Sequence, residues 1–329
     1  MKVNLFIRKP FKLGNFSLEI FYSELFNELK NDIDITVIKL PFYNSGFLPR
    51  LLNMFFCYLK QTEVNHIVGD ITYCSFFMNK NKLITTIHDC GAIFLNKGIK
   101  RNILKYFLFE MPVRRSKKVI CISESTKSDL LNFNFKLNNK AVIIPNTVSK
   151  SFFDNLKKKE VKFNSKFLVI GTAPNKNIER IAIALEGIDA DLTIIGKLSE
   201  NQKNQLITSN IKFKELNFAL SENEVINEYL KSDILLFPSL FEGFGMPIIE
   251  ANLLGVCVIT SNLSSMPYVA GNSAELVDPF DIKSIRNGIL KVINDKPYMD
   301  SLIFNGYNNA QRFKIKTIAV KHKEIYSQI

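Results

Sequence analysis

The stretch LLFPSLFEGFGMPIIEANLLG, Leu235 to Gly255, decides how this chain is read. It joins a buried-strand pattern, Ile234–Phe237, to a helix-like pattern through a loop with two glycines. Pro247 falls where a first helical turn belongs, and Gly255 ends the helix. Gly243 and Gly245 lack a Cβ, so the backbone there can pass close to a ligand and adopt positive φ. The free N–H groups of a helix start, with the positive end of its dipole, suit a phosphate or a sugar hydroxyl. Glu242 stands at the loop mouth and Glu250 about one turn into the helix. Two carboxylates at different depths can accept hydrogen bonds from a ribose diol and from a sugar ring. Taken alone, Glu250 also reads as a first-turn acid that favours the helix dipole.

Outward from this stretch the same grammar repeats. Strand patterns in the first half are Val3–Ile7, Ile35–Leu40, His66–Val68, Leu83–Ile87, Lys118–Ile122 and Ala141–Ile144. In the second half they are Phe167–Ile170, Leu192–Ile195, Ile211–Phe213, Ile234–Phe237 and Val256–Thr260. Helical periodicity fills the gaps, as in Ser17–Leu29, Ile178–Leu185, Glu222–Leu230 and Ile282–Ile293. Strand–helix alternation implies parallel sheets covered on both faces. Two such series in 329 residues imply an α/β protein of two Rossmann-like domains facing across a cleft. The expected domains are 1–155 and 156–315. The charged stretch Ser149–Lys166, with Lys157–Lys159 in a row, serves as linker. A last helix, within 316–329, is expected to pack back on the first domain. Open parallel sheets bind ligands beyond the carboxyl ends of their strands, so the residues just after each strand are the candidates.

Composition narrows the partners. The net charge is +12, and residues 1–150 carry 22 Lys/Arg against 11 Asp/Glu. That basic half faces either something anionic or simply solvent. The segments SGFLPRLLNMFFCYLKQ and KGIKRNILKYFLFEMPVRRSKK combine apolar and basic residues and read as helices whose apolar faces serve mainly the core. Arg50, Lys60, Lys97, Lys100, Arg101, Lys105, Arg114, Arg115, Lys117 and Lys118 give them a basic rim that would suit an anionic lipid surface. Nucleic acid is disfavoured, because no recognition helix or RNA-binding signature accompanies the charge. No apolar run approaches membrane-spanning length, and the N-terminus reads as a strand rather than a signal peptide. The five scattered cysteines have no metal-ligand spacing and fit a reducing compartment. The protein is therefore expected in the cytoplasm, or peripheral on the inner face of the cytoplasmic membrane.

FEGFGMPIIEA resembles the E-x7-E signature of retaining glycosyltransferases of the two-Rossmann, GT-B type. NEYLKSDILLFPS, GVCVITSNLSSMPYVAGNSAELVDPFD and GTAPNKNIERIAIAL extend the resemblance over about residues 165–315, with weaker likeness through 60–150. It implies that Glu250 holds the ribose hydroxyls and that Glu242 lies near the transferred sugar. Backbone at Gly243, Phe244 and Gly245 would touch sugar hydroxyls, and Met246 and Pro247 would flank the diphosphate. It also implies that Lys176, after the strand ending at Ile170 and Gly171, binds the diphosphate. A fixed ammonium stabilises the departing group most in the transition state. Where the family often has an arginine beside that lysine, this chain has Asn175, which leaves the second positive charge open. Gly196 and Lys197, with Glu215–Asn217, are candidates for the base.

In the first half, TIHDCG resembles the family motif whose histidine lies against the sugar, which makes His88 a site residue. Asp89 either orients it or caps the turn. Gly69 and Asp70 follow the strand at His66–Val68, where glycine allows a tight turn and the carboxylate can face an acceptor or sugar. Ser123 reads as a helix N-cap, and His322, in a lysine-rich C-terminal helix, as a surface residue. The function implied is transfer of a hexose-type sugar, with retention, from a nucleoside-diphosphate sugar to a saccharide or lipid-linked acceptor. Bacterial surface polysaccharide, such as O-antigen or capsule, is the expected setting. No metal and no further cofactor are expected, since DID (32–34) and DAD (189–191) precede strands instead of following them. A sugar-nucleotide epimerase of the same architecture and a non-catalytic sugar-nucleotide binding protein are the alternatives.

Overall fold

A computed structural model describes residues 1–9, 17–156, 163–217 and 220–329. They form two compact units, residues 1–147 with 314–329, and residues 148–313. The lysine run at 157–159 lies outside the described residues.

In the first unit six parallel strands form one sheet. They are β1 (Lys2–Ile7), β2 (Asp34–Lys39), β3 (Val64–Ile67), β4 (Leu83–Ile87), β5 (Lys118–Cys121) and β6 (Ala141–Ile143), in the order β2-β1-β3-β4-β5-β6. Every residue of β3 and β4 is buried, as a parallel sheet with both faces covered requires. Helix α1 (Ser17–Leu29) and the C-terminal helix α7 (Ile315–Tyr326) share one apolar cluster. Phe21, Tyr22 and Leu25 meet Ile318, Ala319, Ile325 and Tyr326 there, above Val3 and Leu5 of β1. His322 is buried in this packing at 2% exposure, not on the surface. It lies one helical turn from both Ile318 and Tyr326, and that periodicity outweighs its charged neighbours.

Two segments differ from the expected core-facing helices. In α2 (Phe47–Leu59) the buried positions are Asn53 and Cys57, while Phe47, Leu48, Leu52, Phe55, Tyr58 and Leu59 are exposed. Helix α3 (Gly98–Lys105) has no buried residue, and Ile99 and Ile103 stand on its outer surface. The chain then passes through a π-turn, Tyr106–Glu110, into a short helix, Met111–Arg115. Pro112 has no N–H to offer the carbonyl of Leu108, and the Thr72 hydroxyl donates to that carbonyl at 2.7 Å instead. Arg115 is not part of a surface rim. Its guanidinium donates to the carbonyls of Ser75 (3.0 Å) and Met78 (2.6 Å).

The second unit holds β7 (Lys166–Ile170), β8 (Asp191–Ile195), β9 (Lys212–Leu216), β10 (Ile234–Phe237), β11 (Cys257–Ser261) and β12 (Ala274–Val277). They form a parallel six-stranded sheet in the order β12-β11-β10-β7-β8-β9. Helices α4 (Ile178–Leu185), α5 (Glu222–Lys231) and α6 (Met246–Leu253) pack on it. Strand β12 was not expected, because Ala-Glu-Leu-Val is short and carries an acid on an edge. Each sheet has one place where successive crossovers leave in opposite directions. It lies between β1 and β3 in the first unit and between β7 and β10 in the second. Loops leaving such neighbours splay apart and open a crevice beyond the strand ends.

Candidate active site

In the second unit, Lys176 and Glu242 come from the two strands that flank this crevice. Ile170 ends β7, and the chain reaches Lys176 through a single 3-10 turn, Pro174–Lys176. Gly171 has φ 88°, and a Cβ there would stand 3.0 Å from Cε of Lys176, so glycine is what lets the lysine stem lie back over the strand end. Lys176 Nζ is 2.5 Å from Glu242 Oε1 and 4.6 Å from the centre of the Phe237 ring. Both charged side chains are mostly buried.

The loop that carries Glu242 is pinned from two sides. Asn175 accepts from the Leu240 N–H at 2.8 Å through its carbonyl, and its amide donates to Phe241 O (3.0 Å) and Glu242 Oε1 (3.3 Å). Ser264 and Ser265 donate to Glu242 O at 2.6 and 3.0 Å, and Ser265 also donates to Phe244 O at 2.7 Å. Asn175 thus supplies no charge and serves as a loop anchor. Arg180 is no replacement, since it donates to Asn177 Oδ1 at 2.9 Å. Of the two loop glycines, Gly245 takes the positive φ (108°) and caps α6, while Gly243 is not among the positive-φ residues. Phe244 is buried against Phe313, which fixes the backbone between them. Met246 and Pro247 form the first turn of α6.

Glu250 lies in α6, with part of its surface accessible. Its Oε2 accepts from the Tyr229 hydroxyl of α5 at 2.6 Å. Burial pushes its pKa up to about 7, and Glu222 adds to the rise. The Tyr229 bond and the positive charge of Lys176 oppose it. Gly171 and Gly196 give their N–H groups to Ile195 O and Leu216 O, both at 2.8 Å, so they extend the ladder beyond the strands. The Lys197 carbonyl accepts from Thr172 Oγ1 at 2.8 Å, and its side chain is exposed. Glu215 accepts from Leu198 N–H and pairs with Lys203.

In the first unit, Gly69, Asp70, His88 and Asp89 line one pocket of about 240 Å³, together with Arg8. Arg8 directly follows β1 and Gly69 follows β3, so they flank this sheet's crevice. Arg8 Nε donates to Glu19 at 2.8 Å, and Nη1 stands 3.8 Å from Asp70 Oδ2. The other Asp70 contacts come from the Asn44 amide. Asp89 caps the turn: its Oδ1 accepts from Gly91 N–H at 2.7 Å. His88 Nε2 is 3.2 Å from the Tyr22 hydroxyl, and burial lowers its pKa to about 4, with the Arg8 charge acting the same way. Ser123 caps its helix as expected, accepting from Thr126 N–H at 3.0 Å. The sequence reading missed Arg8, Tyr229, Ser264 and Ser265. Arg8 was findable by asking of β1 what was asked of the other strands. Tyr229 carries no local signal, because its partner lies on another helix.

Two Rossmann-like units, each with polar side chains gathered beyond the switch point of its sheet, define the GT-B fold class. The family model described as "Glycosyl transferases group 1" matches residues 152–309. The chain is similar to the uncharacterized glycosyltransferase MJ1178 of Methanocaldococcus jannaschii, 28% identical over 267 residues, which span 78% of this chain and 72% of that one. It is also similar to the O-antigen chain mannosyltransferase RfbU of Salmonella typhimurium, 29% identical over 65% of this chain and 61% of the relative. Its fold is that of sucrose-phosphate synthase from Thermosynechococcus elongatus, with a TM-score of 0.76, 15% identity, and coverage of 100% and 99% of the two chains. The family match, the relatives and the fold together support a glycosyltransferase of group 1.

Proposed function

We propose that this enzyme moves a hexose-type sugar, with retention, from a nucleoside-diphosphate sugar to a saccharide or lipid-linked acceptor during assembly of a bacterial surface polysaccharide. The similarity to an O-antigen chain mannosyltransferase supports the setting. The observation that carries the chemistry is the Lys176–Glu242 pair, with Glu250 nearby in the same loop-and-helix unit. In this reading the donor displaces Glu242 from Lys176. The ammonium then neutralises the diphosphate as it departs, and no metal is needed. Glu250 accepts from the ribose hydroxyls, and Glu242 stands by the sugar. Attack from the face the phosphate leaves, assisted by that phosphate, gives retention without a covalent intermediate. His88, Gly69, Asp70 and Asp89 serve the sugar and the acceptor.

The test separates the two carboxylates. Glu242→Gln is expected to cut turnover by orders of magnitude while donor binding persists, and Glu250→Ala to weaken donor binding first. Full activity in both variants would remove this assignment.

Among the described residues no helix is long and apolar enough to cross a membrane. The exposed aromatic and aliphatic residues of α2 and α3, beside Arg50, Lys60, Lys97, Lys100 and Arg101, support docking on an anionic leaflet at the cytoplasmic face. Cosedimentation with anionic but not neutral vesicles at low salt is the expected result, and equal weak binding to both would contradict it.

A further inference from the structure

Tyr229 of α5 is the one side chain among the described residues that hydrogen-bonds the Glu250 carboxylate. Its hydroxyl donates to Oε2 at 2.6 Å, inside the range of an O–H bond to an ionised acceptor. The carbonyl of Pro247, in the first turn of α6, stands 3.4 Å from the same hydroxyl and is the longer, weaker alternative. The phenol is held where it is. Tyr229 is fully buried, and its ring stands edge-on to that of Phe152, with centres 6.1 Å apart. Phe152 belongs to the short helix Lys150–Asp154 and is buried as well. Burial and the Glu250 charge both keep the phenol protonated, so at neutral pH it is a standing donor.

A glutamate needs such a tether to present its carboxylate in one plane. The last side-chain torsion, which turns that plane, has broad and shallow preferences of its own. Glu250 Oε1 makes no hydrogen bond among the described residues and is not sealed in the interior. After the bond from Tyr229, Oε2 keeps one lone pair and Oε1 keeps both. These acceptors suffice for two adjacent hydroxyls on a five-membered ring, whose spacing is fixed. Such a pair requires the carboxylate plane to be set, whereas a single hydroxyl can be met by many planes. Setting the plane in advance removes the ordering cost from ligand binding.

We propose that Tyr229 is a positioning residue: by holding Oε2 it sets the Glu250 carboxylate to receive both hydroxyls of a ribose, and so selects ribonucleotides over their 2′-deoxy counterparts. This deepens the reading of Glu250 as the ribose acceptor and rests on it.

Full-length protein is titrated calorimetrically with UDP, GDP, ADP and CDP, and the tightest of them is compared with its 2′-deoxy counterpart. Work at about pH 9 keeps the native carboxyl, at about 7, ionised. The native chain is expected to prefer the ribonucleotide about tenfold, the scale of one hydrogen bond to a charged group. Glu250→Ala should lose that preference. Tyr229→Phe keeps the ring against Phe152 and should cut the preference to about twofold, while binding the 2′-deoxy ligand nearly as the native chain does. A loosened fold would weaken both ligands alike and leave their ratio intact, so the ratio separates positioning from packing. A preference lost in Glu250→Ala but kept in Tyr229→Phe overturns the proposal. So does a preference that Tyr229→Phe lacks at about pH 8 and regains at about pH 9, since the tyrosine would then act on charge alone. No binding of any of the four, no preference in the native chain, or a preference kept in Glu250→Ala refutes the reading of Glu250, and the proposal falls with it.

Discussion

Titration of Glu250 probes the second unit's site through a quantity the structure fixes. Its carboxyl is pushed from the ordinary 4.5 up to about 7, chiefly by burial. A shift of that size corresponds to about 3 kcal/mol. Because the folded value lies above the unfolded one, the folded chain holds an extra proton between these two pH values. This group's contribution is fully present below 4.5 and is lost as pH rises through 7. Glu250→Gln stays neutral and escapes that loss. Urea unfolding of both proteins should show the variant gaining about 3 kcal/mol on the native chain between acidic and mildly alkaline buffer. Tyr229→Phe removes the hydroxyl that holds the value down, so its window extends further upward. Calorimetric titration with a nucleoside diphosphate gives the functional counterpart. Affinity should climb more steeply as pH rises through about 7 in the native chain, where the ionised carboxylate accepts best from a diol, than in Glu250→Gln, where only the terminal phosphate of the ligand still titrates near that range. Parallel pH profiles for native and variant proteins, in unfolding and in binding, would refute the reasoning.

Three other outcomes are expected. Gly171→Ala forces a side chain onto a backbone at φ 88° and against Lys176. It should cost about 1–3 kcal/mol in unfolding and weaken diphosphate binding measured by calorimetry. Asn177 is buried at φ 65° and donates to Pro238 O and Pro279 O. Asn177→Ala should lose about 2–4 kcal/mol by urea unfolding, and Asn177→Gly should recover about 1 kcal/mol by accepting the backbone angle. His322 is buried with neither ring nitrogen partnered, and burial holds its pKa near 3, below the usual 6.5. The unfolded chain therefore takes the proton first, and stability falls as pH drops through that interval. His322→Leu should raise the thermal midpoint more at mildly acid than at alkaline pH.

The strands that place the site were legible because they are uninterrupted apolar runs. LITTI and ILLF fall on β4 and β10 with the ends that were read from the sequence. Knowing where β10 stops was enough to place Glu242 in the loop and Glu250 in the helix. The partners of these residues were not legible. Tyr229 sits on α5, a segment legible only as a helical pattern, and only the packing of α5 beside the first turn of α6 brings its hydroxyl to Glu250. Asn175 looked like a missing charge. Its anchoring of the Glu242 loop depends on the β7 and β10 loops lying side by side, which is a consequence of strand order and not of local sequence. His322 was misread because its lysine and glutamate neighbours were given more weight than the spacing of Ile318, Ala319, Ile325 and Tyr326.

The first unit is assembled from two ends of the sequence, with the whole second unit encoded between them. During synthesis its six strands emerge first, yet the apolar cluster that α1 makes with the sheet stays incomplete until Ile318 and Tyr326 have been translated. Domains otherwise tend to fold as they emerge. Here the second unit is complete while its elder neighbour still waits, exposing apolar side chains to whatever chaperone attends the ribosome.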